Sequence, residues 1–361
     1  MKNIVTLVII LFCCLTSCLD TMQKQQTELL KGLTIPQENK PKWEELFSNK
    51  YTIIPLETTP ECLVGEINKI KKFKEDYYVS SAGKSIFHFN KEGKFIASLN
   101  KMGQGPEEYT RIEDFDVYEI NGRTEIWVAD NENLKIYDAY DCSFLYKISY
   151  PFAIYRFRRM ENSHILLVTG QNKYSLTLTD KNGNVLSEYL KKEVPYLMFR
   201  SVQFIKYDSK YLYQLGISNA YIVFDPKTET FSKGFFTKEK TYLTDKQLLK
   251  LYDIQGTNFI QEANKGTYIC NIVPLNETIW AEIRHDNKNY ITKIRNSNTI
   301  STEFSYGTFA SSISVGDSDN SLLLYLTPDQ LLDNEKQLFN KDDNKIQCKI
   351  DDNPIIIEFL E

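Results

Sequence analysis

One short motif near the start of the chain can support a specific covalent modification. After Lys2, the run from Ile4 to Leu15 is almost wholly apolar. Such a run is typical of a signal peptide and is too short for a membrane-spanning helix of roughly 20 residues. It leads into Leu15-Thr16-Ser17-Cys18, the apolar-small-small-cysteine order of a bacterial lipobox. We therefore expect cleavage after residue 17 and a diacylglyceryl group on the Cys18 thiol.

Lipid on Cys18 would make membrane lipid a partner of the mature protein. Several acyl chains, each worth ~0.8 kcal/mol per buried CH₂, hold a protein on a bilayer permanently, whereas one chain is marginal. No other stretch approaches 18 consecutive apolar residues, so we expect the remainder to lie outside the bilayer. The sequence predicts attachment to the outer membrane, on its periplasmic or its surface side.

Metal-binding residue types are present but lack the spacing of a known site. His88, His164 and His285 are the only histidines, and none has another His or Cys at ligand spacing. Asp317 to Ser321 opens like an EF-hand loop, but Leu322 stands where that loop requires glycine. We expect neither a metal nor another cofactor.

Motifs for nucleophilic or phosphate chemistry are also missing. The glycine-rich turn Gly103–Tyr109 would need a helix N-terminus after it to hold phosphate, and its Pro106, Glu107 and Glu108 oppose that role. No G-x-S-x-G nucleophile elbow occurs. The sequence therefore favours a binding module over an enzyme. The alternative is a hydrolase or lyase whose active site is assembled from several repeats.

The densest basic and aromatic patch is Tyr155-Arg156-Phe157-Arg158-Arg159. In a β-strand, side chains alternate between faces, which would direct Arg156 and Arg158 one way and Arg159 the other. Arg156 and Arg158 are candidate contacts for an anionic ligand. The alternative is that they pack between neighbouring elements with exposed guanidinium groups.

Composition narrows the classes of partner. The 361 residues carry 43 Lys and Arg against 48 Asp and Glu, a net charge of −5, which argues against nucleic acid as a partner. Tyrosine and phenylalanine are abundant, as in β-rich cores. Beyond Cys18, the mature chain has Cys62, Cys142, Cys270 and Cys348 without a C-x-x-C pair. Three pairings are open, and we expect mostly buried, unpaired thiols.

A recurring hairpin reveals the architecture. Its turn residues Asn90, Asp138, Asp180 and Asp225 are separated by 48, 42 and 45 positions (138 − 90, 180 − 138, 225 − 180), and apolar strand ends flank each turn. A period near 45 with about four short strands per unit is typical of β-propeller blades. A fifth copy of the hairpin lies at 294–300.

Six β-type runs are expected as the innermost strands of the blades. These runs are 66–73, 111–118, 153–159, 201–207, 259–272 and 309–315. Thr244 and the leucines that follow it predict a helical insertion at about 238–256. The runs 51–56 and 354–360 can pair in one sheet and close the ring.

Four features together resemble the six-bladed propeller lipoproteins of Bacteroidota, which are distantly similar to NHL-repeat propellers. They are the lipobox, the turn Gly103–Tyr109, the run Ile126–Asp130 and the segment Asp351–Pro354. The resemblance implies an all-β, six-bladed β-propeller with a small helical insertion and a place in the cell envelope. The expected layout is a signal peptide at 1–17, a polar tether with a short helix at 18–49 and the propeller at 50–361.

The function expected from this reasoning is recognition of a glycan, a peptide or an envelope protein. Departures from a repeat are frequent sites of binding elements. We therefore expect the ligand on the face that carries the insertion, near the channel and near Arg156 and Arg158.

Overall fold

The computed structural model describes residues 51–170, 172–191, 200–214, 216–217, 219–237, 239–296, 298–304, 311–333 and 347–360, together with Leu30 and Leu33. The expected signal peptide, Cys18 and all of 18–49 except Leu30 and Leu33 lie outside these residues. The described strands form six sheets, which are the blades of a six-bladed β-propeller. This fold confirms the prediction from the hairpin period.

Strand β1 (Tyr51–Pro55) belongs to blade 6, and the chain then builds blades 1 to 5 in order. Blade 1 contains β2 (Ile67–Phe73), β3 (Asp76–Ser81), β4 (Ser85–Phe89) and β5 (Phe95–Leu99). Blade 2 contains β6 (Asp114–Ile120), β7 (Arg123–Asp130), β8 (Asn133–Asp138) and β9 (Phe144–Ser149). Blade 3 contains β10 (Ile154–Arg159), β11 (Ile165–Thr169), β12 (Tyr174–Thr179) and β13 (Val185–Lys191).

Blades 4 and 5 follow the same antiparallel order, and blade 6 combines both ends of the described chain. Blade 4 contains β14 (Phe204–Tyr207), β15 (Lys210–Gln214), β16 (Ala220–Asp225) and β17 (Thr230–Phe235). Blade 5 contains β18 (Thr267–Leu275), β19 (Thr278–His285), β20 (Lys288–Arg295) and β21 (Asn298–Phe304). The remaining strands are β22 (Gly316–Asp317), β23 (Ser321–Leu326) and β24 (Ile355–Leu360).

The recurring hairpin turns are held by one side chain each. The Asn90 side-chain oxygen accepts from the backbone N–H groups of Glu92 and Lys94 at 3.0 and 2.9 Å. Asp180 accepts in the same way from Asn182 and Asn184. These local bonds explain why Asn or Asp recurs at this position of the repeat.

Blade 6 closes the ring, as the sequence predicted. Strand β1 pairs with β24 in antiparallel register, with Tyr51 opposite Phe359 and Pro55 opposite Ile355. The turn after β4 packs against this closure, because a Cβ atom on Gly93 would lie 2.2 Å from the Pro55 carbonyl oxygen. Gly93 also has a φ of +79°, a region in which other residues are strained.

The inner edge of blade 6 departs from the regular pattern. In place of a strand within 309–315, Ile313–Val315 form a 3-10 turn capped by the Ser312 side chain. The two-residue strand β22 follows and pairs in parallel with β2 of blade 1. The sixth inner-strand prediction is therefore wrong for the part that the structure describes. The loop Asp317–Asn320 takes the place of a longer strand at the channel.

The helical insertion extends further than the sequence indicated. Helix α1 (Asp245–Gln255) begins at Thr244, whose side chain accepts from the Gln247 N–H in a capping box. A 3-10 turn leads to α2 (Phe259–Ala263). Phe259 and Ala263 are buried in one apolar cluster with Leu248. The first part of the expected strand 259–272 is consequently helical, and β18 begins only at Thr267.

The inner strands begin on one face of the disc and end on the other. We call the first the insertion face, since the connection containing α1 and α2 leads there to β18; Ile67 and Asp114 lie on it. We call the second the hairpin face, where Phe73 and Ile120 end their strands. All four described cysteines are unpaired thiols, and Cys62 and Cys142 are buried.

Candidate functional site: the channel and its mouth on the hairpin face

The inner strands of blades 1 to 3 carry charged side chains at alternate positions. Strand β2 has Lys69 and Lys71, β6 has Asp114 and Asp116, and β10 has Arg156 and Arg158. Alternation directs one set of side chains of each strand toward the channel. Most of these groups are buried, so each needs a partner of opposite charge.

Three of these charged groups and Asp317 of blade 6 form a closed ring, which we call the ion-pair ring (Lys71, Asp116, Arg158 and Asp317). The Lys71 Nζ lies 3.4 Å from Asp116 and 3.1 Å from Asp317. The Arg158 guanidinium lies 2.9 Å from Asp116 and 2.8 Å from Asp317. The ring joins blades 1, 2 and 3 to the irregular edge of blade 6. It therefore ties the closing blade to the opposite side of the channel.

The electrostatics of the ring keep all four groups ionised. Burial would raise the pKa of Asp116 and Asp317, but Arg158 and Lys71 outweigh it and hold both values below the ordinary range. Burial likewise opposes the charge on Lys71, yet Asp116 and Asp317 raise its pKa. The two carboxylates are therefore weak proton acceptors, held for ion pairing.

Arg156 lies toward the insertion face, away from the ion-pair ring. Its guanidinium donates to the Arg200 carbonyl at 2.7 Å and to the Glu113 carbonyl at 2.6 Å. Next to it, Lys69 pairs with Asp114 at 2.9 Å. These groups line a cavity of about 240 Å³ at this end of the channel.

A larger depression opens on the hairpin face, and we call it the mouth trough. It consists of two adjoining cavities of about 400 and 310 Å³. Both are lined by Lys206 and by the loop Asp317–Asn320, where blade 6 lacks a longer inner strand. The lining also includes residues of blades 1 to 5: Phe73, Tyr118, Arg158, Arg159, Tyr211, Tyr207, Asp208 and Asn276.

Arg159 is a residue of the mouth trough that sequence reasoning passed over. Its guanidinium donates to the Ser163 hydroxyl at 2.8 Å and lies 6.0 and 5.9 Å from the ring centres of Tyr118 and Trp127. Aromatic faces attract a cation at such distances. Side-chain alternation selected Arg156 and Arg158 and excluded Arg159. Arg159 nevertheless lies beside Arg158 at the end of β10.

The structure separates the two arginines that the sequence grouped. Arg158 belongs to the ion-pair ring and lines the mouth trough, whereas Arg156 lines the smaller cavity near the insertion face. Lys206 is a further trough residue that no motif indicated, and the loop Asp317–Asn320 attracted notice in the sequence only as an incomplete EF-hand-like segment. Lys206 pairs with Asp319 at 2.9 Å on an exposed surface.

The acidic loop at 317–320 is used for ion pairing. Asp317 contacts Arg158 and Lys71, and Asp319 contacts Lys206. Within the described residues, no three His, Cys, Asp or Glu side chains come together in an arrangement that could hold a metal ion. No described helix is both long and apolar enough to cross a bilayer.

Comparison with known proteins now identifies the family. Residues 34–359 match the model of DUF4934, described as a domain of unknown function. The chain belongs to the DUF4934 family. No curated protein matches this DUF4934 chain.

Solved structures agree with the propeller fold. The DUF4934 chain is similar to a protein of Bacteroides fragilis NCTC 9343 named as a candidate exported protein, with a TM-score of 0.72 and 17% identity. That match covers 90% of this chain and 98% of the other. A protein of unknown function from Bacteroides caccae aligns with a TM-score of 0.41 and 10% identity, over 66% and 82% of the two chains. At 17% identity the likeness to the Bacteroides fragilis protein shows the fold alone.

Proposed function

We propose that this DUF4934 protein is a lipid-anchored binding module of the bacterial cell envelope. Its polar ligand, a glycan or a segment of a peptide or protein, would bind in the mouth trough. The observation that carries the proposal is the trough itself, which lies where the repeat is broken by the short strand β22. Binding sites of repeat proteins concentrate at such departures.

The lining of the trough suits a ligand with several polar groups. Tyr118 and Tyr211 supply amphipathic rings, and Lys206, Asp319 and Asn320 supply donors and acceptors at the rim. Lys206 and Asp319 are exposed. Because an exposed ion pair contributes little free energy, a ligand can replace it at little cost. The arrangement combines a fixed base, the ion-pair ring, with an adaptable rim.

The charge states at the channel support binding more than acid–base catalysis. A general acid or base works best with a pKa near the operating pH, whereas Asp116 and Asp317 are held ionised. Burial raises the pKa of Glu282, but its carboxylate accepts from the Ser312 hydroxyl and the Ile313 N–H at 2.8 and 2.7 Å. Glu282 is not among the residues that line the trough.

Variants at the trough rim test the binding site. We expect Lys206→Ala and Tyr211→Ala each to weaken binding to a defined glycan or peptide array by about tenfold, or ~1.4 kcal/mol. Lys147→Ala, on the exposed outermost strand of blade 2, is the matched control and should bind normally. Binding that survives both trough variants but disappears when 240–254 is replaced by a Gly-Ser linker would contradict the proposal.

The lipid anchor has its own test. Cys18→Ala should abolish labelling by radioactive fatty acid and release the protein from the membrane fraction, or leave the precursor uncleaved. Unchanged labelling of that variant would contradict anchoring through Cys18. The candidate-exported relative from Bacteroides fragilis is consistent with a place in the envelope.

A further inference from the structure

Two leucines from the segment expected as a polar tether are part of the folded body. Leu30 and Leu33 are both 0% exposed. The Leu30 N–H donates to the Phe236 carbonyl at 2.7 Å, and the Leu33 N–H donates to the Leu30 carbonyl at 3.3 Å. Complete burial removes both leucine side chains from water, which favours the bound arrangement. These contacts are strong enough to hold this part of the chain on the propeller.

The docking point lies on the outer rim between blades 4 and 5. Phe236 directly follows β17, the outermost strand of blade 4. Leu30 and Leu33 join an apolar cluster that includes Phe236, Tyr242 and residues of blade 5 such as Ile294. Among the described residues, the first contact of the chain with the body is therefore at this rim, although β1 lies in blade 6.

Docking shortens the chain between the lipid and the body. Cys18 and Leu30 are 12 residues apart (30 − 18), and at ~3.3–3.6 Å per residue that stretch spans at most about 40 Å. If the body began only at Tyr51, the separation would be 33 residues (51 − 18) and the limit about 110 Å. The contacts of Leu30 thus reduce the maximum distance between Cys18 and the body by more than half. They also place the point of attachment on the body at Leu30.

We infer that Leu30 and Leu33 form a strap that holds the rim of blades 4 and 5 toward the bilayer. The partner of this rim is the lipid surface in which the Cys18 acyl chains are embedded. Blades 1 and 2, on the opposite side of the ring, lie away from the membrane. The orientation rests on the lipid anchor of the proposed function, while the strap itself rests only on the contacts of the two leucines.

Hydrogen exchange tests the strap without any lipid. In the lipid-free mature chain, we expect the Leu30 amide to exchange at least about tenfold more slowly than in an unstructured peptide, because it is bonded and buried. The double variant Leu30→Ser, Leu33→Ser should lose this protection. Leu63→Ser, at a side chain that is 59% exposed, is the matched control. Fast exchange of Leu30 in the parent chain would overturn the strap.

Energy transfer to labelled lipid tests the orientation. The lipid-modified chain is placed in phosphatidylethanolamine–phosphatidylglycerol vesicles that contain an acceptor dye on the headgroup. Donor dyes are attached at Ser232→Cys or Ile96→Cys, on the outermost strands of the opposite blades 4 and 1, with Cys270 and Cys348 changed to serine. We expect more transfer from position 232, and the double leucine variant should remove most of the difference.

The outcomes separate the anchor from the orientation. Equal transfer from both positions, or a difference that survives the double variant, would overturn the orientation while the anchor stands. A chain that does not float with the vesicles would overturn the anchor and the orientation together. In that case the exchange rate of Leu30 still decides the strap.

Discussion

The two sides of the channel use different chemistry to hold the same architecture. On the side of blades 1 to 3, the inner strands meet blade 6 through the ion-pair ring of Lys71, Asp116, Arg158 and Asp317. On the side of blades 4 and 5, the ion pair of Lys206 with Asp319 is exposed, and the buried charged group that contacts blade 6 is Glu282. Its carboxylate accepts from the Ile313 N–H, the Ser312 hydroxyl and the Asn271 amide.

The difference between the two sides shows how blade 6, which lacks a full inner strand, is joined to the rest of the propeller. In the described residues, strand pairing between blade 6 and blade 1 is limited to two residues at β22. Single backbone bonds add to it, from Glu57 to Gly93 and from Val202 to Ser314, and side chains carry many of the remaining contacts. Ion pairs span the channel but leave a buried charge behind if one partner is lost. The Glu282 carboxylate bonds neutral donors, so its loss leaves unsatisfied donors and no unpaired charge. The two sides should therefore respond differently to acid and to substitution.

Acid should produce the largest effect, with opposite signs on the two sides. Asp116 and Asp317 have native pKa values below 3.8, so the stability they contribute is complete above about pH 3.8 and is lost as the pH falls below it. The native pKa of Glu282 is raised above 4.5, so its contribution is most favourable below about pH 4.5 and declines as the pH rises. Urea unfolding between about pH 5 and 3 measures how the free energy of unfolding changes through both contributions.

Glu282→Gln separates these contributions. This variant should lose the decline above about pH 4.5 and keep the loss of stability in stronger acid. An acid response that is identical to that of the parent chain would show that Glu282 does not titrate as its burial implies.

Removing one carboxylate of the ion-pair ring should have the next largest effect. Asp116→Ala leaves Arg158 buried with one partner fewer, which typically destabilises a protein by about 3–5 kcal/mol. Adding Arg158→Met should recover about 1 kcal/mol or more, since Lys71 and Asp317 then remain as a neutral pair. Urea unfolding of the two variants measures this coupling. Strictly additive losses would contradict a ring that acts as a unit.

Substitution of Glu282, on the side of blades 4 and 5, should lower the free energy of unfolding by less than Asp116→Ala does. Glu282→Ala leaves the Ile313 N–H and the Ser312 hydroxyl without their acceptor, at about 1–3 kcal/mol. Thermal unfolding is the measurement, and Glu277→Ala, at an exposed side chain in the turn before β19, is the control. A loss equal to that of Asp116→Ala would remove the distinction between the two sides.

The smallest effect is expected at the rim of the mouth trough. Lys206 and Asp319 form an exposed ion pair, and such pairs contribute about 0–1 kcal/mol. Asp319→Asn should therefore change the free energy of unfolding by less than about 0.5 kcal/mol in urea titration. A larger loss would mean that the rim, like the ring, is part of the structural framework.

Features that depend on residues close together in the chain could be predicted from the sequence. The turns at Asn90 and Asp180 are held by hydrogen bonds to residues two and four positions away. The recurrence of these turns is therefore visible in the sequence, and it predicted the blades. The Thr244 cap and the pairing of β1 with β24 followed from a local capping pattern and from apolar runs at both ends. Cys18 remains a prediction, because it lies outside the described residues.

Only the tertiary structure decided what the channel residues do. Arg156 and Arg158 are two positions apart, yet a strand advances about 3.3 Å per residue, which carries them toward opposite ends of the channel. The partners of Arg158 come from blades 2 and 6, with Asp317 being 159 positions away, and no local pattern encodes such contacts. The burial of Leu30 likewise depends on Phe236. Local chemistry specified the repeat, and long-range packing specified where the repeat is broken.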